Sequence, residues 1–291
     1  VTAFRRIRRR DGSAAALAGA AAAAAAAVEA IPVVPDPRAA AFFDLDNTVM
    51  AGASAYWFAR GLASRGLFTS RDLAAYAWQQ LRYRASGREN VQGMADAREA
   101  ALAFVAGRQV SEIVAYGEEI YDEVMAERIY AGTRAMLQQH LDAGQRVWLV
   151  TATPVELASI VARRLGLTGA LGTVAEVRDG KYTGRLVGEP LHGPAKAEAV
   201  RALAVREGLE LERCSAYSDS ANDIPMLSTV GHPMAVNADS DLRRHAKAQG
   251  WPVRDVRTGR KAVKIGVPAA GGAGMLAGAV VAGVALRRRL G

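Results

Sequence analysis

The segment Phe42-Phe43-Asp44-Leu45-Asp46-Asn47-Thr48 ends an apolar run in two aspartates one residue apart. Alternate side chains of a strand share a face, so Asp44 and Asp46 can project together where the strand gives way to its loop. Two carboxylates held side by side repel, so that one pKa rises or a cation is drawn in. Phosphoryl transfer is a chemistry that uses such a pair. Thr151 supplies a hydroxyl, Lys196 a fixed ammonium, and Asp219 and Asp223 two further carboxylates. In that reading Asp44 attacks phosphorus in line and forms an aspartyl-phosphate. Asp46 protonates the departing alcohol and later takes a proton from the hydrolytic water. Mg²⁺ and Lys196 neutralise the phosphate charge while Thr151 positions an oxygen. Asp219 completes the magnesium site with Asp44 and the backbone carbonyl of Asp46. Asp223 either holds an outer-shell water or orients Lys196, and Asn47, Thr48 and Asn222 support the set.

These residues need strands to carry them. The first strand is expected over 39–46. The uncharged run Val147-Trp148-Leu149-Val150 suits a strand buried on both faces of a parallel sheet. Further strands are expected over 214–218 and 234–236, with a hairpin around Arg178-Asp179-Gly180-Lys181. Helices are expected over 133–142, 155–165 and 195–207, with a short one near 222–227. Strands alternating with helices at this spacing predict an α/β fold with a doubly wound parallel sheet, in which sites lie at the carboxyl ends of strands. Asp44, Thr151 and Asp219 all fall just past such ends. Residues 53–130 read as almost wholly helical (54–63, 72–83, 90–104 and 111–127), with a stripe through Ile113, Tyr116, Ile120 and Val124. An insertion of that kind after the first strand would form a cap that excludes water and selects the substrate. The expected organisation is therefore a core made of 39–52 and 131–253, a helical cap at 53–130, and extensions at 1–38 and 254–291.

The chain has 291 residues and a formal charge of +8. Residues 1–38 carry +3 and residues 254–291 carry +7, which leaves −2 for the body between them. The basicity belongs to the ends, and no basic, aromatic-interleaved face marks the body as a nucleic-acid binder. A lone cysteine, Cys214, excludes an intramolecular disulfide, and its apolar setting predicts a buried thiol. The four histidines show no metal-ligand spacing and are expected at the surface or in loops. The alanine-rich start reads as a low-complexity extension rather than an export signal. Residues 265–286 are 22 residues without a charge, bracketed by basic residues and carrying a GxxxG face at Gly274 and Gly278. They predict a membrane-associated helix that would anchor a cytoplasmic catalytic domain to the inner face of the plasma membrane.

The ordered set Asp44-Leu45-Asp46-Asn47-Thr48, Thr151, Lys196 and Asp219–Asp223, with the hairpin Asp179-Gly180-Lys181-Tyr182-Thr183-Gly184, resembles haloacid-dehalogenase-superfamily phosphatases. Within them it is similar to subclass IB, the branch containing phosphoserine phosphatases. The resemblance covers roughly residues 39–250 and implies a Rossmann-like core, a magnesium cofactor and phosphomonoester hydrolysis. It also implies departures. That branch carries a glutamate for the substrate amine where this chain has Ala53, and its Ser-Gly-Gly loop is replaced by Thr151-Ala152-Thr153-Pro154. Arg98 is the candidate for the cap arginine that takes the substrate carboxylate. The chemistry is thus expected to be hydrolysis of a small phosphorylated metabolite, phosphoserine among the candidates. A lipid phosphate such as a lysophospholipid phosphate, or a non-catalytic tethered scaffold, are the alternatives.

Overall fold

The structure is a computed structural model and describes residues 33–67 and 105–257. At its centre is β1 (Ala40–Phe43), a four-residue strand buried throughout. Its alternation feeds two cores. Ala41 and Phe43 join the apolar cluster on one face of the sheet, with Val147, Leu149 and Tyr217. Ala40 and Phe42 join the opposite cluster, with Trp148, Val150 and Ala216. Burying Phe42 and Phe43 completely contributes on the order of 2–3 kcal/mol each.

After β1 the chain forms α1 (Ser54–Ser64) and, beyond the undescribed segment, α2 (Val110–Ile120). One π turn (Tyr121–Met125) and one 3₁₀ turn (Ala126–Arg128) follow, so the helix expected over 111–127 is three pieces of different pitch. Next come α3 (Ala131–Asp142), β2 (Arg146–Pro154), α4 (Val155–Arg164) and β3 (Gly169–Thr173). The hairpin β4 (Ala175–Arg178) and β5 (Lys181–Leu186) then leads to α5 (Pro194–Glu207) and β6 (Ser215–Ser218). A 3₁₀ turn (Ala221–Asp223), α6 (Ile224–Leu227), β7 (His232–Val236), α7 (Ser240–Gln249) and β8 (Val253–Arg254) complete the described chain.

Six strands form one sheet in the order β3-β2-β1-β6-β7-β8, every neighbouring pair parallel. The chain winds outward from β1 to β3, then returns to the other side of β1 at β6. That reversal puts the topological switch between β1 and β6, where doubly wound sheets open a crevice at their carboxyl ends. Asp44 follows β1 and Asp219 follows β6, so the two carboxylates flank the switch.

The hairpin turn is dictated by its residues. Asp179 and Gly180 both have positive φ, +50° and +75°, the conformation that Asp-Gly adopts in a tight β-turn. Val110 donates its N–H to the Gly180 carbonyl at 2.9 Å, and Gly107 donates to Tyr182 at 2.7 Å. Tyr182 donates in return to Arg108 at 3.0 Å, so the hairpin is stitched to the segment that leads into α2.

Two expectations need correcting. Thr151 does not follow its strand but lies inside β2, which continues to Pro154 past a register shift after Val150. His140 is not a surface or loop residue; it is buried in the last turn of α3. There its Nε2 meets the Tyr217 hydroxyl at 2.7 Å and its Nδ1 the Gln145 Oε1 at 2.8 Å. Burial pushes its pKa below the ordinary histidine value. Cys214 is buried as expected. Arg98, the helices expected over 72–83 and 90–104, most of the extension at 1–38 and the apolar stretch 265–286 lie outside the described residues. Among the described residues no helix is long and apolar enough to cross a membrane.

Candidate active site

Asp44 is the first residue past β1, and its backbone N–H donates to the Tyr217 carbonyl of β6 at 2.9 Å. The sheet therefore holds it on its backbone. Its carboxylate is 6% exposed and is gripped at both oxygens: Oδ1 accepts from Lys196 Nζ at 2.6 Å and Oδ2 from Thr48 Oγ1 at 3.1 Å. Lys196 rises from the first turn of α5, whose start is set by Gly193 and Pro194. Its ammonium also donates to Asp223 Oδ2 at 2.7 Å. That oxygen accepts a second hydrogen bond, from Ser218 Oγ, at 2.7 Å. Of the two roles open to Asp223, the geometry takes up the orienting of Lys196.

Charge is concentrated here. Burial pushes Asp44 up to about 7, opposed by Lys196 and reinforced by Asp223 and Asp46. Burial likewise pushes Asp219 up to about 8, with Asp44 and Asp223 adding to it. Asp46 is raised too, mainly by burial and in spite of its bonds to Ser54. For Lys196, burial works toward neutrality, but Asp44 and Asp223 outweigh it and hold the ammonium firmly charged.

Thr48 Oγ1 also lies 3.5 Å from Asp219 Oδ1, so one hydroxyl spans the Asp44 and Asp219 carboxylates. Two carboxylates that burial alone would protonate, facing each other across a hydroxyl, fit a hard divalent cation bound through oxygen. The backbone carbonyl of Asp46 is the third donor of the anticipated set. Among the described residues no three His, Cys, Asp or Glu side chains stand together so as to hold a metal ion by themselves.

Asp46 stands on a different arm. Its Oδ1 accepts the backbone N–H of Ser54, the first residue of α1, at 2.8 Å. Ser54 Oγ is 2.6 Å from Thr153 Oγ1, which receives a hydrogen bond from Thr151 Oγ1 at 3.1 Å. Thr151 is thus linked to Asp46 through two hydroxyls. Asn47 takes positive φ, +60°, and its carbonyl accepts from Asn237 Nδ2 at 2.7 Å. Its own Oδ1 accepts from the Gly52 N–H at 3.0 Å, closing the turn after the aspartates.

The structure therefore brings Asp44, Asp46, Thr48, Thr151, Lys196, Asp219 and Asp223 to the crevice between β1, β2 and β6. Asn47 and Asn222 stand apart: both are exposed, Asn47 closing the turn and Asn222 contributing a backbone N–H on Ser220 Oγ at 3.3 Å. Four residues here escaped the sequence reading: Ser54, Thr153, Ser218 and Asp239. Asp239 accepts from Ala221 N–H at 2.9 Å while capping α7, and its own N–H donates to the Asp219 carbonyl at 2.8 Å. An aspartate directly before a helical stretch is a cap signal, so this one was readable.

The likenesses to other proteins bear on the same residues. The family described as haloacid dehalogenase-like hydrolase matches residues 41–228. The chain is 58% identical over 254 residues to a Mycobacterium tuberculosis protein named phosphoserine phosphatase SerB1, covering 87% of this chain and 82% of that one. A protein named histidinol-phosphatase from Neisseria meningitidis is 30% identical over 217 residues, 73% of this chain and 96% of that one. A crystal structure of a Bordetella pertussis protein of unknown function matches with a TM-score of 0.67 at 32% identity, covering 75% of this chain and 99% of that one.

Proposed function

Because this chain belongs to the haloacid dehalogenase-like hydrolases, in their phosphoserine-phosphatase-like part, and is a phosphoric monoester hydrolase, we propose that it cleaves a small phosphorylated metabolite through an aspartyl-phosphate on Asp44. The observation that carries this reading is the double grip on the Asp44 carboxylate. Lys196 and Thr48 fix its plane at the switch point, and an oriented carboxylate is what in-line attack on phosphorus needs. Asp46, raised by burial and bonded through one oxygen to Ser54, is placed to give a proton to the leaving alcohol and take one back from water. Lys196 contributes positive charge beside the phosphoryl oxygens. Thr151 holds Thr153 and, through it, the start of α1.

Asp44, Asp219 and the Asp46 carbonyl would hold Mg²⁺, which supplies charge neutralisation for the phosphoryl group when bound. Asp223 and Ser218 keep Lys196 turned toward Asp44. Phosphoserine is the first substrate to try, on the strength of the Mycobacterium relative's name, and histidinol phosphate the second. The uncharged stretch 265–286 motivates a lysophospholipid phosphate as the third, with the catalytic domain held at the inner face of the plasma membrane. Membrane fractionation of the full chain tests that attachment, and recovery only in the soluble fraction would remove it.

The test of mechanism is Asp44→Asn, assayed with an aryl phosphate and a panel of phosphometabolites. Activity is expected to fall by about a thousandfold or more, since the nucleophile itself is lost. Retained turnover would overturn the role of Asp44.

A further inference from the structure

Trp57 lies one helical turn beyond Ser54 on α1, and its indole Nε1 donates to the Ala51 carbonyl at 3.2 Å. Two guanidiniums lie over that ring, Arg128 at 3.3 Å from the centroid and Arg60 at 5.6 Å. The Nε of Arg128 is buried and, among the described residues, has no hydrogen-bond partner. Among the described residues no carboxylate pairs with Arg60 or Arg128. Their neighbours differ: Arg65 is held by Glu119 and Glu123, and Arg108 faces Glu112. Stacking on an indole fixes an arginine in place without neutralising it. A buried donor left unpaired is costly, and an incoming acceptor relieves that cost.

The cluster adjoins the strip that carries Asp46. Ala51 donates its N–H to the Arg128 carbonyl at 2.8 Å, and Met50 pairs with Ile129. Trp57 stands three residues, about 4.5 Å, along α1 from the residue whose N–H binds the Asp46 carboxylate. That spacing suits a group a few bonds from the ester being cleaved. It is also the neighbourhood of Ala53, where the resemblance expects a glutamate for an amine. Two guanidiniums select for the opposite charge.

We propose that Trp57, Arg60 and Arg128 form a subsite for a second anionic group of the substrate, so that the enzyme prefers phosphomonoesters bearing a carboxylate or further phosphate near the ester. The inference rests on the phosphomonoesterase reading above. It is separate from any part played by Arg98. Phosphoserine qualifies through its carboxylate, whereas an amine-bearing ester without one does not.

The experiment compares kcat and KM for three small alkyl phosphates: phosphoglycolate, ethyl phosphate and phosphoethanolamine. The full chain is expected to favour the carboxylate over the amine by about tenfold or more, the scale of one charge-assisted hydrogen bond. Arg128→Met, which removes the guanidinium but keeps an unbranched apolar stem, should bring that ratio toward one chiefly by raising KM for phosphoglycolate, and Arg128→Lys should restore part of it. A wild-type ratio of one or below overturns the subsite, whether or not the variants fold. An unchanged ratio in Arg128→Met at an unchanged thermal midpoint overturns it equally. Hydrolysis without charge preference removes the subsite alone; no hydrolysis of these esters or of an aryl phosphate removes the underlying reading with it.

Discussion

One ammonium, that of Lys196, is shared by two buried carboxylates, and removing it leaves both without a paired cation among the described residues. Breaking a buried ion pair from one side destabilises by about 3–5 kcal/mol, because the remaining charge stays buried. Lys196→Met should therefore lower the denaturant midpoint markedly as well as activity; a variant with wild-type stability would contradict the buried network. The same carboxylates set a pH dependence. An unfolded aspartate releases its proton near about 3.9, whereas Asp44 keeps its proton to about 7 and Asp219 to about 8 in the metal-free fold. Across that window the folded chain binds more protons than the unfolded one, so the contribution of these groups to stability falls as pH rises. Magnesium needs them deprotonated, so its stabilising effect grows in the same direction. Thermal midpoints measured with chelator and with magnesium should differ more at about pH 8 than at about pH 5.5. An equal or opposite difference would rule out these two aspartates as ligands.

Elements were legible where their pattern was continuous. The run at 147–150 announced β2, and the Asp-Gly pair announced the hairpin with its turn residues correctly placed. β3 was missed because Gly169–Thr173 is mostly half-exposed and carries little apolar signal. β8, two residues long, offers no period at all. The candidate carboxylates Asp44 and Asp219 were readable because charged groups just past strand ends are conspicuous, and Lys196 because it stands near a helix start. The hydroxyls of Ser54, Thr153 and Ser218 were not: Ser54 and Thr153 are 99 residues apart and meet only through the fold. His140 was misplaced for a related reason, since its partner Tyr217 lies 77 residues away. Close helix packing also hides from sequence. A Cβ added at Gly61 of α1 would stand 2.5 Å from Ile120 Cγ1, and Ile120 is fully buried on α2. Gly61→Ala gains about 1 kcal/mol of helix propensity but forces an overlap that costs roughly 1–3 kcal/mol. A net destabilisation of up to about 2 kcal/mol is expected in denaturant titration; a stabilised variant would show that the two helices are free to part.

On the scale of the whole molecule, the order of the strands decides where the chemistry sits. β1 is paired on both sides, and the nucleophile candidate is the residue that follows it. The stitching of residues 107–110 to the hairpin has a mechanical consequence. Among the described residues, the inserted segment is fastened to the core by the chain entering near residue 53, by the chain leaving near residue 130, by ion pairs of Arg163 and Arg164 on α4 with Glu118 and Asp122, and by this backbone clasp. An opening movement must therefore carry the hairpin with it or first release the clasp. Val110 is the first residue of α2 and follows an extended Gln109, a position where proline is tolerated. Val110→Pro deletes the N–H that reaches Gly180 and leaves the helix start intact. Amide exchange at Tyr182 should quicken while global stability drops by no more than about 1–2 kcal/mol. Unchanged exchange there would mean that the clasp bears no strain. A single proline would slacken one strut on the hairpin side while leaving α2 seated against α4.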